Sequence, residues 1–351
     1  EYGGADPGYQ TVTIDVLAKL RQMTGDARLD EPLRRAVSFA RLFLHADGSY
    51  GGEYGSRGTY HFYPHGFELL TGENREAAEL ADGFLQSIEN GTLAAFDDDR
   101  MYAHRLGNLI EAYLDWSPTA PGENSRDPVA PALVAGTAPA LVAGAAPALV
   151  AGASRGFCYL PHAGILVHRT GEFSTIISAA RGGVFKHCRS GHSPETDTGL
   201  IIETTDGRQA VSQGHDLTRQ IVWRCDESAS GDAGDSAYAP NTLAETLTVS
   251  GHLRWNRHET ATPLKQAVFH LGMISIGTWG RGLVRRALQR RLIVARKTCP
   301  IRLTRRFEFP SELADTSECR VIDQIELLDD RLQIRRLSFT SDLQSAYTAA
   351  G

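Results

Sequence analysis

Two short segments of the sequence bring tyrosine, acidic and glycine residues together beside predicted helices. The first is EYGGADPGYQ at residues 1–10, and the second is DGSYGGEYGSR at residues 47–57. Phenol and carboxyl groups are proton-transfer groups, so the chemistry to consider is general acid–base catalysis. Loops on a rigid scaffold often carry function, and glycine lets a ligand approach the backbone closely. The structural alternative is that both segments are turns on which the tyrosines pack.

Other catalytic patterns have little support in the sequence. A hydrolytic carboxylate pair could be assembled from Glu53, Glu68 and Asp97, but their spacing does not favour one. The sequence has no P-loop, no GxGxxG after a strand, no GxSxG and no HExxH. Its five cysteines form no CxxC pair and no zinc-type spacing, and an odd number cannot pair completely, so we expect free, mostly buried thiols. We predict neither a metal site nor a cofactor.

Composition narrows the class of protein. The chain has 351 residues, 42% hydrophobic and 22% charged, which is ordinary for a globular protein of two or three domains. Its net charge of −6 argues against nucleic acid as a partner. No apolar run reaches the length of a membrane span. Because the sequence opens on Glu1 inside a dense motif, we expect an N-terminal segment to be missing, and localisation is not predicted.

The N-terminal part has the periodicity of helices. Apolar stripes at helical spacing predict four of them, and short connections favour antiparallel helical hairpins. Gly25 is a C-terminal stop, and Asp30 is a plausible N-cap for the second helix. The stripes are Val12, Val16, Leu17, Leu20 and Met23; Leu33, Val37, Ala40 and Leu44; Leu80, Ala81, Phe84 and Ile88; and Leu106, Leu109, Ile110, Tyr113 and Leu114.

A repeat separates this part from a strand-rich one. An eight-residue Ala/Pro/Gly unit occurs three times in residues 130–153, and it predicts a surface linker, with a docking segment as the alternative. Strands are then predicted at 165–169, 173–180, 200–204, 220–224, 245–255, 302–309 and 320–327, with Asp329-Asp330 turning the last into 332–339. Asp206-Gly207 is a hairpin signal. Many short strands predict packed antiparallel sheets.

One segment departs from the strand pattern. Residues 280–297, GRGLVRRALQRRLIVARK, have the spacing of a basic amphipathic helix. Three interpretations remain open: contact with a membrane surface, a solvated face, or arginines that line a groove for an acidic polymer.

The two loops and the change from helices to strands carry a resemblance. EYGGADPGYQ before a long helix, HADGSYGGEYGSR one hairpin later, and the Gly-His segment RGGVFKHCRSGHSPETDTGLIIETTDGRQAVSQG resemble the corresponding parts of heparinase II/III-type polysaccharide lyases. The resemblance covers essentially the whole chain, and the order of domains is its strongest part. It implies an α+β multidomain fold: an incomplete (α/α) toroid at 1–117, the linker at 118–154 and an antiparallel β-sandwich at 155–351.

The same resemblance implies a function. These lyases cleave uronic-acid polysaccharides by β-elimination in a cleft between toroid and sandwich, and a periplasmic or secreted location would suit the family. Tyr9 would be base and acid, Arg57 would neutralise the substrate carboxylate, and His192 would assist from the sandwich. The residues implied to line the cleft are Glu53, Tyr54, Tyr60 and His61, with His187 as the fallback for His192.

This sequence differs from the family pattern at several positions, and these differences leave room for other functions. Gln10 follows Tyr9 where the family often has His, and Gly55-Ser56-Arg57 replaces Gly-Asp-Ser. A non-catalytic factor that binds an acidic polysaccharide, or assists exopolysaccharide assembly, is the alternative from another class. DGSYGG is also similar to loops of prenyltransferase β-subunits and terpene cyclases. Those families lack a trailing sandwich, and the prenyltransferase zinc site needs a Cys that the helical part lacks.

Overall fold

The computed structural model describes residues 4–45, 47–56, 58–92, 102–116, 157–169, 173–189, 192–225, 245–256, 298–309 and 319–339. The five helices of these residues are α1 Pro7–Thr24, α2 Asp30–Arg41, α3 His65–Glu68, α4 Arg75–Glu89 and α5 Tyr102–Asp115. The strands are β1 Phe157–Leu160, β2 Ile165–Arg169, β3 Phe173–Ser178, β4 Val184–Arg189, β5 Glu195–Asp197, β6 Leu200–Thr204, β7 Gln209–Val211, β8 Gln220–Cys225, β9 Glu245–Asn256, β10 Thr298–Phe309, β11 Arg320–Leu327 and β12 Ile334–Phe339. Helices and antiparallel sheets thus give an α+β fold. The predicted linker at 118–154 and the basic segment at 280–297 lie outside the described residues.

Local signals set the ends of the helices. Asp6 caps α1 by accepting a hydrogen bond from the Tyr9 amide at 3.1 Å. Gly25 ends α1 as predicted, at a φ of 65°, with its amide bonded to the Arg21 carbonyl. Asp30 is not the predicted N-cap of α2, because a 3-10 turn at 27–29 runs directly into the helix and makes Asp30 its first residue. The predicted stripe of α2 is correct, since Leu33, Val37 and Ala40 are buried.

The predicted apolar stripe of α1 faces largely away from the core, although Leu17 packs against it. Val16, Leu20 and Met23 are 56, 44 and 83% exposed, and the buried face instead carries Thr11, Ile14, Asp15 and Ala18. The reason is a close contact with the chain at 59–66, where a Cβ added at Gly66 would lie 2.4 Å from the Asp15 Cα. Such a contact requires small or hydrogen-bonding side chains. The predicted stripe of α5 is also largely on the surface, with Leu106, Ile110, Tyr113 and Leu114 all exposed.

The smaller sheet is buried on both faces. Its five antiparallel strands follow the order β1-β2-β3-β4-β5. Ile165, Ile176 and Val184 pack into one hydrophobic cluster with the helices. Leu166 and Ile177, which point to the opposite face, pack against the larger sheet. Residues 173–178 are therefore continuously buried, and the helices share a core with this sheet instead of forming a separate one.

The larger sheet is curled. Its strand order is β11-β10-β9-β7-β6-β12, with β8 also paired to β9. Asp329 begins a turn, as predicted, but the strands on either side of it do not pair, and β12 instead pairs with β6 at the opposite edge. Leu200 and Ile202 on β6 share a buried cluster with Ile301 and Leu303 on β10, so the sheet encloses part of its own core. The hairpin at Asp206-Gly207 joins β6 to β7 as predicted.

A buried arginine joins the two sheets. Arg305 on β10 is fully buried and donates two hydrogen bonds to the Asp323 carboxylate, at 2.7 and 2.6 Å. It also donates to the Gly183 carbonyl at 3.1 Å and lies 3.1 Å from the Asp197 carboxylate of the smaller sheet. Each of the three guanidinium nitrogens therefore has at least one acceptor. Asp197, which belongs to the Gly-His segment at 181–214, has Arg305 as a structural partner.

The described helices form a layer over one face of the smaller sheet, and they do not by themselves show a ring of helical hairpins. Among the described residues, no helix is long and apolar enough to cross a membrane.

Candidate functional site

The two tyrosine- and glycine-rich segments of the sequence form one bonded unit. Asp6 accepts hydrogen bonds from the hydroxyls of Thr59 and Ser56, and the Ser56 amide donates to the Ala5 carbonyl at 2.8 Å. The Gly8 amide also donates to the Thr59 hydroxyl, at 3.3 Å. The N-terminus of α1 is therefore tied to the loop at 47–60, which we call the α2–α3 loop.

Glycine permits the sharp path of the α2–α3 loop. Gly51 has a φ of 72°, and a Cβ there would lie 2.3 Å from the Thr59 carbonyl. This is a conformation and a distance that other residues adopt only under strain. Asp47 starts the loop by accepting from both the amide and the hydroxyl of Ser49, at 3.0 and 2.7 Å.

Basic side chains of the smaller sheet and the 3-10 turn after β3 hold this loop. Arg181, which is 6% exposed, donates to the carbonyls of Glu53 and Gly55. Lys186 on β4 donates to the Ser49 hydroxyl at 3.4 Å, and its ammonium lies 5.4 Å from the centre of the Tyr60 ring. The junction between the loop and the sheet is thus lined by two cations from the sheet side.

His215 is a third side chain of the strand-rich part, after Arg181 and Lys186, that lies against the N-terminal segments, here the segment before α1. A Cβ at Gly4 would lie 3.1 Å from the His215 ring, so this imidazole lies directly against the N-terminal segment. Burial, followed by the charge of Arg181, lowers the pKa of His215 and favours its neutral form. The His215 Nε2 atom is buried, and no described residue hydrogen-bonds to it.

A small cleft opens beside the α2–α3 loop. Its cavity volume is about 10 Å³, which is room for about one water molecule and not for a sugar ring. Ser49 and Tyr60, which both contact Lys186, belong to its lining. The complete lining is Leu44, Gly48, Ser49, Tyr50, Tyr60, Phe62, Phe84 and Ser87.

The charge of the buried Lys186 acts on the pKa values of its neighbours His45 and Cys188. Burial, reinforced by the charges of Lys186 and Arg169, lowers the pKa of His45 well below its usual value and keeps this ring neutral. Burial raises the pKa of Cys188 to about 12, against a smaller opposing effect of Lys186. Arg169 itself is bonded to the carbonyls that follow α2, including Leu42 at 2.9 Å, so its charge is used to cap that helix.

The three predicted catalytic residues have different surroundings. Tyr9 lies in the first turn of α1 and is 49% exposed. His192 is exposed in the turn between β4 and β5. Arg57 lies outside the described residues. Their catalytic roles stay predictions.

The residues predicted to line the cleft are separated by the fold. Glu53 accepts a hydrogen bond from the Tyr60 hydroxyl, so these two do meet. Tyr54, however, is only 1% exposed and bonds to His45 at 3.2 Å, which buries it in the helical core instead of a ligand-accessible wall. His61 contacts Arg105 of α5.

The fallback residue His187 lies on the face of its strand that points away from the helices, and its role stays a prediction. It is 7% exposed, and its Nδ1 atom is 2.8 Å from the Thr175 hydroxyl, on the side of the sheet that faces away from the helices. Its neighbour Lys186 points to the helices instead, because successive side chains alternate between faces.

Sequence reasoning missed Lys186, Arg181 and His215. The available signal was weak: a lysine inside the apolar strand VFKHC and a second Gly-His pair at Gly214-His215. Either could have marked a sheet-side polar group, but strand register was needed to say which face each occupies.

Comparison of the chain with protein families, with curated proteins and with solved structures gave no match. Within the described part of the chain, no group of three or more His, Cys, Asp or Glu side chains is arranged to hold a metal ion.

Proposed function

We propose that this chain is a lyase-like protein that binds a uronic-acid-containing polysaccharide where its helices meet its sheets, and cleaves it by β-elimination. We further propose that its helices are part of an (α/α) toroid and that its two sheets are a β-sandwich, as in heparinase II/III-type lyases. The observation that carries this proposal is that both tyrosine- and glycine-rich loops converge on basic groups of the strand-rich part, at Arg181, Lys186 and His215.

The arrangement suits this chemistry in two respects. β-Elimination removes the proton at C5, breaks the bond between C4 and the glycosidic oxygen, and returns a proton to that oxygen while a C4–C5 double bond forms. A phenol at Tyr9 could perform both proton transfers if a nearby cation stabilises its phenolate. Negative charge develops on the substrate carboxylate, so cations and hydrogen-bond donors at the junction would stabilise the transition state.

The test uses acidic polymers of different composition. The full-length protein is incubated with alginate, a heparan-type polymer and bacterial uronic-acid polymers, and the ultraviolet absorbance of the unsaturated product is followed. We expect product from at least one polymer and none from Tyr9→Phe. Tyr113→Phe, which changes an exposed tyrosine on α5, is the matched control and should keep full activity. No product from any polymer, or full activity in Tyr9→Phe, would reject cleavage.

A non-catalytic binding role is the second candidate. It is favoured by the bond between the Tyr60 hydroxyl and Glu53, which occupies a phenol of the cleft as a structural donor. This alternative predicts saturable binding of an acidic polysaccharide without any unsaturated product.

A further inference from the structure

Asn90, which follows the last residue of α4, is the one asparagine of the sequence with a glycine after it. The other five are followed by larger residues, namely Arg75, Leu109, Ser125, Thr242 and Arg257. The backbone nitrogen of the next residue can attack the side-chain carbon Cγ of an asparagine. Glycine leaves that nitrogen accessible because it has no Cβ. The pair Asn90-Gly91 is therefore the position of this chain at which spontaneous deamidation is chemically easiest.

The structure leaves this pair open to solvent at a helix end. Glu89, Asn90 and Gly91 are all exposed. The Asn90 side-chain amide donates a long hydrogen bond to the Asp47 carbonyl, at 3.3 Å. The Gly91 amide donates to the Ile88 carbonyl at 3.2 Å. Because helix ends fray, both bonds can open without disturbing the buried core, and the side chain can then turn towards the backbone nitrogen.

Two other asparagines of the helical part are better protected and serve as internal controls. Asn74 caps the N-terminus of α4 by accepting from the Ala77 amide at 3.1 Å, and the bulkier Arg75 follows it. Asn108 is only 2% exposed, and its side-chain oxygen accepts from the His65 amide at 3.2 Å. A reaction that follows exposure and a small next residue should therefore occur at Asn90 and spare these two.

The contact that Asn90 makes links the end of α4 to the start of the α2–α3 loop. The Thr92 hydroxyl donates to the same Asp47 carbonyl, at 3.0 Å. Loop and helix also pack closely here, because a Cβ at Gly48 would lie 2.9 Å from the Gly83 carbonyl of α4. A chemical change at Asn90 therefore acts on the residue at which the loop begins.

We propose that Asn90 is a deamidation site, and that its conversion to a carboxylate loosens the start of the α2–α3 loop. The Gly91 nitrogen loses its proton to hydroxide and bonds to Cγ of Asn90. The bond from Cγ to the side-chain nitrogen breaks, and that nitrogen takes a proton from water and leaves as ammonia. Water then opens either carbonyl of the resulting succinimide and gives aspartate or isoaspartate. The proposal does not depend on the proposed function.

The product would weaken two interactions at the end of α4. The side-chain amide donates to the Asp47 carbonyl, whereas a carboxylate has only acceptors and would repel that oxygen. A negative charge at the C-terminus of a helix also opposes the helix dipole. We therefore expect the loop that begins at Asp47 to respond more strongly than the sheets.

The first experiment follows the reaction in the folded full chain. The protein is incubated at physiological temperature, at mildly acidic and mildly alkaline pH, and its tryptic peptide 76–100 is analysed by mass spectrometry that separates aspartate from isoaspartate. We expect both products at position 90, and faster at the higher pH, because the attacking nitrogen must lose its proton. The peptides that carry Asn74 and Asn108 should stay unchanged.

Asn90→Gln is the matched variant for this experiment. It keeps the amide, but its longer side chain would have to close a six-membered ring, so position 90 should react far more slowly. The peptide 76–100, released by trypsin before incubation, gives the rate without the fold. If this free peptide reacts while Asn90 of the folded chain stays an amide, the fold protects the site and the proposal is wrong.

The second experiment measures the consequence with permanent variants of the full chain. Asn90→Asp should lower the Tm by about 1–3 °C, and Asn90→Ala, which loses the donor without adding a charge, should lower it by less. In hydrogen exchange, the amides of residues 47–52 should be accelerated by a larger factor in Asn90→Asp than those of β10. No acceleration at 47–52, or an equal factor in both regions, would overturn the link between Asn90 and the loop.

Discussion

Arg305 and Lys186 are both buried cations at a contact between layers, but their surroundings differ. Arg305 lies between the two sheets, where Asp323, Asp197 and the Gly183 carbonyl accept from it at 2.6–3.1 Å. Lys186 lies between sheet and helices, with one 3.4 Å hydrogen bond and an aromatic ring. A cation that is fully compensated within the chain contributes to folding. A buried cation without a carboxylate in contact lacks that contribution.

The pKa of Arg305 agrees with this difference. Burial alone would lower it, but the charges and hydrogen bonds of Asp323 and Asp197 raise it above its usual value. The sheet–sheet contact therefore favours the charged form of Arg305 by its own groups, whereas no carboxylate of the described residues pairs with Lys186 at the helix–sheet contact.

The largest expected effect is at Arg305. Arg305→Met should lower the free energy of unfolding by about 3 kcal/mol, because the partly buried Asp323 and Asp197 would lose their partner. Chemical denaturation followed by circular dichroism measures this loss. The comparison predicts that Lys186→Met, an equal change of charge, causes no such loss. Similar losses in the two variants would remove the distinction between the two sites.

A smaller effect is expected at an ion pair of intermediate burial, beside His215. Burial would raise the pKa of Asp216, but hydrogen bonds from Thr218 and the Arg254 guanidinium, 2.7 Å away, outweigh it and lower the pKa to about 2. A depressed pKa stabilises the fold above the unfolded value of about 3.9, and this contribution disappears as the pH falls towards 2. Asp216→Asn should remove about 1–2 kcal/mol at neutral pH, after allowance for solvent screening.

The measurement for Asp216 is the difference in unfolding free energy between wild type and Asp216→Asn at several pH values. This difference should be largest above pH 4 and shrink below it. A difference that stays constant from neutral pH down to pH 2 would contradict the assigned pKa.

The smallest effect is expected at Arg21, a partly exposed arginine with as many carboxylate contacts as Arg305. Arg21 on α1 bonds to Asp30 at 2.5 Å and to Glu73 at 2.7 Å, but both carboxylates are more than half exposed. Because water screens these charges, Arg21→Met should cost about 0.5–1 kcal/mol, measured as for Arg305. A loss as large as that of Arg305→Met would show that contacts, and not burial, decide the contribution.

The sequence alone determined much of the local structure. Gly25 and the stripe of α2 were predicted correctly because capping and periodicity depend on residues close in the chain. Asp206-Gly207 gave its hairpin for the same reason. The change from helices to strands, and the α+β class, followed from periodicity over longer windows.

Only the tertiary structure decided which faces meet. Most of the apolar stripe of α1 is exposed because Thr11 and Asp15 pack closely on the chain at 59–66, a contact some 50 residues away in sequence. The pairing of β12 with β6, and the faces of the sheet that Lys186 and His187 occupy, depend in the same way on long-range strand register. Periodicity identifies two faces of an element, but the partner that each face buries is set by packing. For this reason the loops were recognised from the sequence, and the cation that faces them was not.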